Sequence, residues 1–138
     1  MKTIKSIYRP ILIAILAISV MSMASAQPAK VKPWDIPAKY KDMKNAVKTS
    51  VASVQAGEAL YKKNCVSCHG KTGMGDGTKA KTLDSFPGDF TSADFQNQSD
   101  GAIFYQTKTG RNDMPKYDKK IEDTDIWNLI NYLRTLKK

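Results

Sequence analysis

Cys65-Val66-Ser67-Cys68-His69 is the stretch on which the reading of this chain turns. Two thiols separated by two residues and followed at once by an imidazole form the attachment signature of c-type haem. The spacer sets how far the thiols reach toward the two vinyl groups on one porphyrin edge, and the histidine falls beneath the iron as its proximal ligand. Counting removes the main competitor: the chain has two Cys and one His in all, too few for a closed zinc site of about four protein ligands. A thioredoxin-like redox pair needs a βαβ setting, and no segment here alternates in the manner of a strand. A disulfide across so short a spacer would staple almost nothing in an exported domain. The expectation is one haem c, held covalently by Cys65 and Cys68, with His69 on the iron.

Electron transfer requires a sixth iron ligand, and methionine is a common one. Past residue 26 the chain offers Met43, Met74 and Met114. Met43 precedes the motif, within a proline-rich arm. Met74 follows His69 too closely to cross to the other face of the ring. Met114 is far enough downstream for the chain to wrap round, and Pro115 biases it toward an extended loop conformation. Met114 is therefore the expected distal ligand. With both axial positions filled, the iron has no open place for substrate, which argues for outer-sphere electron transfer and against catalysis.

Helical signals surround the motif. Ser53 is a plausible N-cap for a helix over Val54–Lys63, with Lys62 and Lys63 suiting its C-terminal dipole. Asp100 can cap a second helix over Gly101–Lys108, ended by Gly110. The clearest element is the last, where Ile126, Leu129, Ile130, Leu133 and Leu136 recur at helical spacing. Glu122, Asp123 and Asp125 sit at its start and Lys137 and Lys138 at its end, matching the dipole. The loop with Gly70, Gly73, Gly75 and Gly77 lacks the strand and the Gly-Lys-Ser/Thr of a phosphate-binding loop. The fold class expected is all-α.

The chain divides into residues 1–26, 27–51 and 52–138. Residues 1–26 read as a secretory signal peptide: a basic start, an apolar run from Ile11 to Val20, and small residues at Ala24-Ser25-Ala26, with cleavage after Ala26. A retained anchor is the alternative, but the run is short for a span of about 20 residues. Residues 27–51 form an extended arm rich in Pro and Lys, in which Trp34, Ile36 and Tyr40 are apolar anchors. The arm either lies against the domain or is a solvated linker. Residues 52–138 are the haem domain.

The formal charge is +9 over 138 residues. Losing Lys2, Lys5 and Arg9 with residues 1–26, and no acidic residue, lowers it to +6; two haem propionates would lower it to about +4. In an exported protein this basic surface has no nucleic acid to meet, so redox protein partners with acidic docking faces are expected. A membrane would be met only through a membrane-bound redox complex. Lys63, Lys71, Lys79, Lys81, Lys108 and Lys116 all lie in segments expected near the haem, and Arg111 is a candidate partner for a propionate.

Gly57-x-x-x-Tyr61, Cys65-x-x-Cys68-His69, Gly110-Arg111-x-x-Met114-Pro115 and Leu129-x-x-Tyr132 together resemble class I cytochromes c, and within them the small monohaem cytochromes of the bacterial periplasm. The resemblance covers about residues 53–136. It implies a class I cytochrome c fold, few helices wrapped around one haem, whose first and last helices cross at Gly57 with Tyr61, Leu129 and Tyr132 packed around the crossing. It also implies a periplasmic single-electron carrier rather than an enzyme. Family members often carry Pro where this chain has Thr78, and a carbonyl near that Pro accepts the proximal histidine N–H. Here the acceptor would be Gly77 or Thr78. A haem subunit of a larger oxidoreductase is the second reading, and a haem catalyst or gas sensor with an open iron is the third.

Overall fold

In the computed structural model, residues 32–138 are described, and they form α1 (Ala38–Lys41), α2 (Val51–Asn64), α3 (Val66–His69), a 3-10 turn (Ala80–Thr82), α4 (Ala93–Gln96), α5 (Asp100–Thr109) and α6 (Asp123–Thr135). The expected signal segment 1–26, and residues 27–31 of the arm, lie outside the described residues. Among the described residues the only β-type pairing is an isolated bridge between Arg111 and Met114, so the all-α expectation holds. No helix among them is long and apolar enough to cross a membrane.

Serines decide where the helices begin. Ser50 Oγ accepts from the Ser53 amide (3.1 Å) while Ser53 Oγ accepts from the Ser50 amide (2.9 Å), a reciprocal capping box. Ser53 is thus the inner partner of the box and not the cap, and α2 starts a turn earlier than the predicted Val54. At α5 the cap is Ser99, which accepts from the Ala102 amide at 3.2 Å. Asp100, the expected cap, is the first helical residue, and its carboxylate binds the Arg134 guanidinium (2.6 Å) from α6.

The core lies where α2 and α6 cross. Tyr61, Ile126 and Ile130 are fully buried there, and the predicted apolar face of α6 supplies most of the rest through Leu129 and Leu133. A Cβ added at Gly57 would run into the backbone carbonyl of Asn128 and come within 2.9 Å of the Tyr132 Cβ. Only glycine permits this approach, and the Tyr61 and Tyr132 rings close over it with centroids 5.2 Å apart. Phe104 stacks on Trp127 (4.1 Å, 18°) and ties α5 to α6.

Residues 32–50 run along this core. Tyr40, Met43 and Val47 pack against it, and the Tyr40 ring lies 4.8 Å from that of Tyr105. The arm departs from fully extended chain at α1, where Pro37 stands at the helix entrance, a place its fixed φ suits.

Candidate haem site

Backbone hydrogen bonds make the five-residue motif into one rigid turn. The Cys65 amide closes the end of α2 by donating to Tyr61 O (2.9 Å), and the His69 amide donates back to Cys65 O (2.9 Å). Behind the turn, the Tyr61 hydroxyl donates to Gly70 O at 2.6 Å. The following loop folds underneath: the Gly77 amide donates to Cys68 O (3.2 Å) and the Lys79 amide to Ser67 O (2.8 Å). Cys65 and Cys68 are free, half-buried thiols, and His69 is buried.

Burial sets the electrostatics. It lowers the His69 imidazole to a pKa of about 4, so the ring is neutral at physiological pH and keeps the lone pair a metal needs. Burial foremost, then the Cys68 thiol, pushes Cys65 up to about 12. Phe90 stacks on the His69 ring at 4.3 Å and 22°. The Nδ1 of His69 is buried without a hydrogen-bond partner, so neither the Gly77 nor the Thr78 carbonyl takes the role that one of them was expected to fill.

His69, Cys65 and Cys68 line a cavity of about 720 Å³, and Met114 lines the same cavity. Its walls are largely apolar, with Leu83, Phe90, Phe95 and Ile103 among them. Neither Met43 nor Met74 reaches it: Met43 packs on the core, and Met74 is 41% exposed with its sulfur accepting from Lys138 Nζ at 3.5 Å. A haem suits this site on four counts: thiols at the wall, a neutral buried imidazole beside them, an apolar cavity of ligand size, and a thioether within it. No group of three or more His, Cys, Asp or Glu side chains among the described residues could hold a bare metal ion.

Met114 sits at the end of a tight loop. The Arg111 amide donates to Met114 O and the Met114 amide to Arg111 O, both at 2.9 Å. Gly110, at φ +60°, lets the chain fold back here, because any Cβ would strike the Met114 carbonyl. The Asp113 carboxylate accepts from the Asp84 amide at 2.9 Å and joins this loop to the one above the 3-10 turn. Arg111, read as a possible propionate partner, lines the cavity and donates through Nη1 to the arm.

The sequence reading missed Phe90 and Tyr117 as cavity-wall residues. Phe90 stands in a polar stretch without periodicity, and nothing local marks it. Of the six lysines expected near the haem, Lys108 is held by Asp123 at 2.6 Å, while Lys63, Lys71, Lys79, Lys81 and Lys116 are exposed.

Residues 52–133 match the protein family described as Cytochrome C oxidase, cbb3-type, subunit III. Cytochrome c6 of Gracilaria tenuistipitata var. liui is 36% identical over 89 residues, which cover 64% of this chain and 78% of the relative. Cytochrome c6 of Bumilleriopsis filiformis is 33% identical over 82 residues, covering 59% and 90%. Among solved structures, a chain of the Kuenenia stuttgartiensis reducing HAO-like protein complex superposes with a TM-score of 0.61 at 29% identity over 67% of this chain, which spans 47% of the length of that chain. The KustC0563 c-type cytochrome gives a TM-score of 0.52 at 27% identity, over 59% of this chain and 98% of its own.

Proposed function

The chain belongs to the family described as Cytochrome C oxidase, cbb3-type, subunit III, a class I cytochrome c, and on that premise we propose that it is a periplasmic carrier of single electrons between redox partners. One haem c is attached through Cys65 and Cys68, with His69 and Met114 as axial ligands. The observation that carries this reading is that these four side chains line one apolar cavity while the other methionines after residue 26 lie outside it. A haem bound there supplies a one-electron iron couple, and methionine ligation raises its potential relative to two histidines. The polypeptide does the rest: Cys65 and Cys68 fix the ring edge, the neutral His69 presents its lone pair, and the Phe90 and Ile103 walls exclude water. Residues 1–26 act as the export signal, and the partner faces that meet the lysines around the motif are acidic.

The test is an optical spectrum of the purified protein, oxidised and reduced, before and after carbon monoxide. A c-type spectrum with a methionine–iron charge-transfer band is expected. It should be insensitive to carbon monoxide, lose the band in Met114→Ala, and accompany a mass increase of one haem that survives denaturation. A high-spin spectrum that shifts with carbon monoxide in the unaltered protein would defeat the carrier reading.

A second reading, the haem subunit of a larger oxidoreductase, is favoured by the likeness to a chain of a redox complex. Size-exclusion chromatography of native extract separates the two, since a free carrier elutes as one processed chain, below the 15.3 kDa of the whole sequence.

A further inference from the structure

Among the described residues, Arg111 is joined both to the Met114 backbone and to the arm. Its amide and carbonyl make the two 2.9 Å hydrogen bonds that hold Met114. Its guanidinium donates through Nη1 to Lys32 O (2.8 Å) and Pro33 O (3.3 Å) and lies 4.2 Å from the Trp34 ring centroid. These are charge-assisted and cation–π contacts, the stronger kinds of polar interaction available to a side chain. Trp34 and Ile36 line the cavity together with Met114 and Pro115. Lys32, Pro33, Trp34 and Ile36 of the arm therefore wall the cavity that Met114 lines, and the Arg111 guanidinium fastens them there.

We propose that Lys32–Ile36 is a strap across the distal side of the haem cavity and that Arg111 is a positioning residue, which couples this strap to the Met114 loop and keeps the sixth coordination position closed. The inference rests on the reading of Met114 as iron ligand. Its physical content is an equilibrium between a closed state, with methionine in place, and an open one. An external ligand binds only the open state, so its apparent affinity is the intrinsic affinity scaled by the open fraction. Loosening the clasp raises that fraction.

The experiment titrates imidazole into the ferric, haem-loaded full chain while following the charge-transfer band. Arg111→Gln and Trp34→Ala are each expected to tighten apparent imidazole binding by roughly tenfold. The double variant should match the tighter single variant to within about twofold, because the two residues form one clasp. Trp34→Phe, which keeps a ring face, should return binding close to that of the unaltered protein. Should Arg111→Gln fail to fold, the Trp34 pair carries the test, since it leaves the Arg111–Met114 backbone bridge intact. Single variants that bind imidazole like the unaltered protein, or a double variant whose effect is the product of the singles, would overturn the strap. Met114→Ala separates this from the premise. If it opens the iron while the other variants change nothing, the strap fails and the ligation stands; if it leaves spectrum and binding unaltered, ligation and strap fail together.

Discussion

Asn131 is 3% exposed and uses every polar site it has. Its Nδ2 donates to Val47 O (3.1 Å) and Ser53 Oγ (3.2 Å), and its Oδ1 accepts from Asn45 Nδ2 and Thr49 Oγ1, both at 3.0 Å. One amide thus joins the arm, the start of α2 and the middle of α6. Asn131→Leu fits an apolar helix face in size, yet strands several polar partners within the protein. We expect it to lower stability by about 2–4 kcal/mol, the scale of a broken buried network, as read by urea unfolding of the haem-loaded protein. A loss below about 0.5 kcal/mol, the scatter of surface substitutions, would mean that water replaces the amide without cost. At this scale the grouping of Cys65, Cys68 and His69 at one cavity was legible because the motif is written in five contiguous residues. Asn131 was not, because its partners come from residues 45–53 and a lone Asn on a helix reads as solvated.

The crossing of α2 and α6 was legible from one side only. The α6 stripe announces itself, since Ile126, Leu129, Ile130 and Leu133 are all apolar and all buried. The buried face of α2 is Ser53, Gly57 and Tyr61, spaced by four but not apolar, so hydrophobic periodicity had nothing to detect. The helix itself was marked by Ser53 and its terminal lysines, and its crossing point by Gly57, through the resemblance. Elsewhere, Arg134 of α6 binds Asp100 and the Gln96 and Gln98 carbonyls, long-range pairings that charge patterning does not disclose. The crossing makes a prediction in which two effects compete. Gly57→Ala removes a helix penalty of about 1 kcal/mol, but its methyl meets the Asn128 carbonyl, and overpacking of this kind costs about 1–3 kcal/mol. Here the contact is backbone, which cannot swing aside as a side chain would, so the clash should prevail. Gly57→Ala is expected to melt several degrees below the unaltered protein; a higher melting temperature would show that the helices part readily.

Over the whole molecule, charge decides how an electron-transfer protein meets its partners. Lys63 and Lys71 flank the attachment motif in the chain, and the 2.8 Å bond from the Lys79 amide to Ser67 O brings the Lys79–Lys81 turn against α3. Lys108 adds little to such a patch because Asp123 neutralises it. Lys63, Lys71, Lys79 and Lys81 are exposed, and if they form a patch beside the motif, its field should govern the approach of charged reagents. The ferrous protein oxidised by ferricyanide, an anion, should react more slowly as salt rises. With tris(phenanthroline)cobalt(III), a cation, the rate should climb. The range to use is 0.01 M to 0.1 M, over which the screening length falls from about 30 Å to about 10 Å. Net charge alone would give slopes of the same sign, so the location of the charge needs its own comparison. Lys79→Glu with Lys81→Glu alters net charge as much as Lys39→Glu with Lys41→Glu, and the latter pair lies on α1, which packs against α5. A patch at the motif predicts that the first pair flattens the ferricyanide slope well beyond the second. Equal slopes would mean that the reagent senses only the total charge, and the lysines around α3 would then have no steering role.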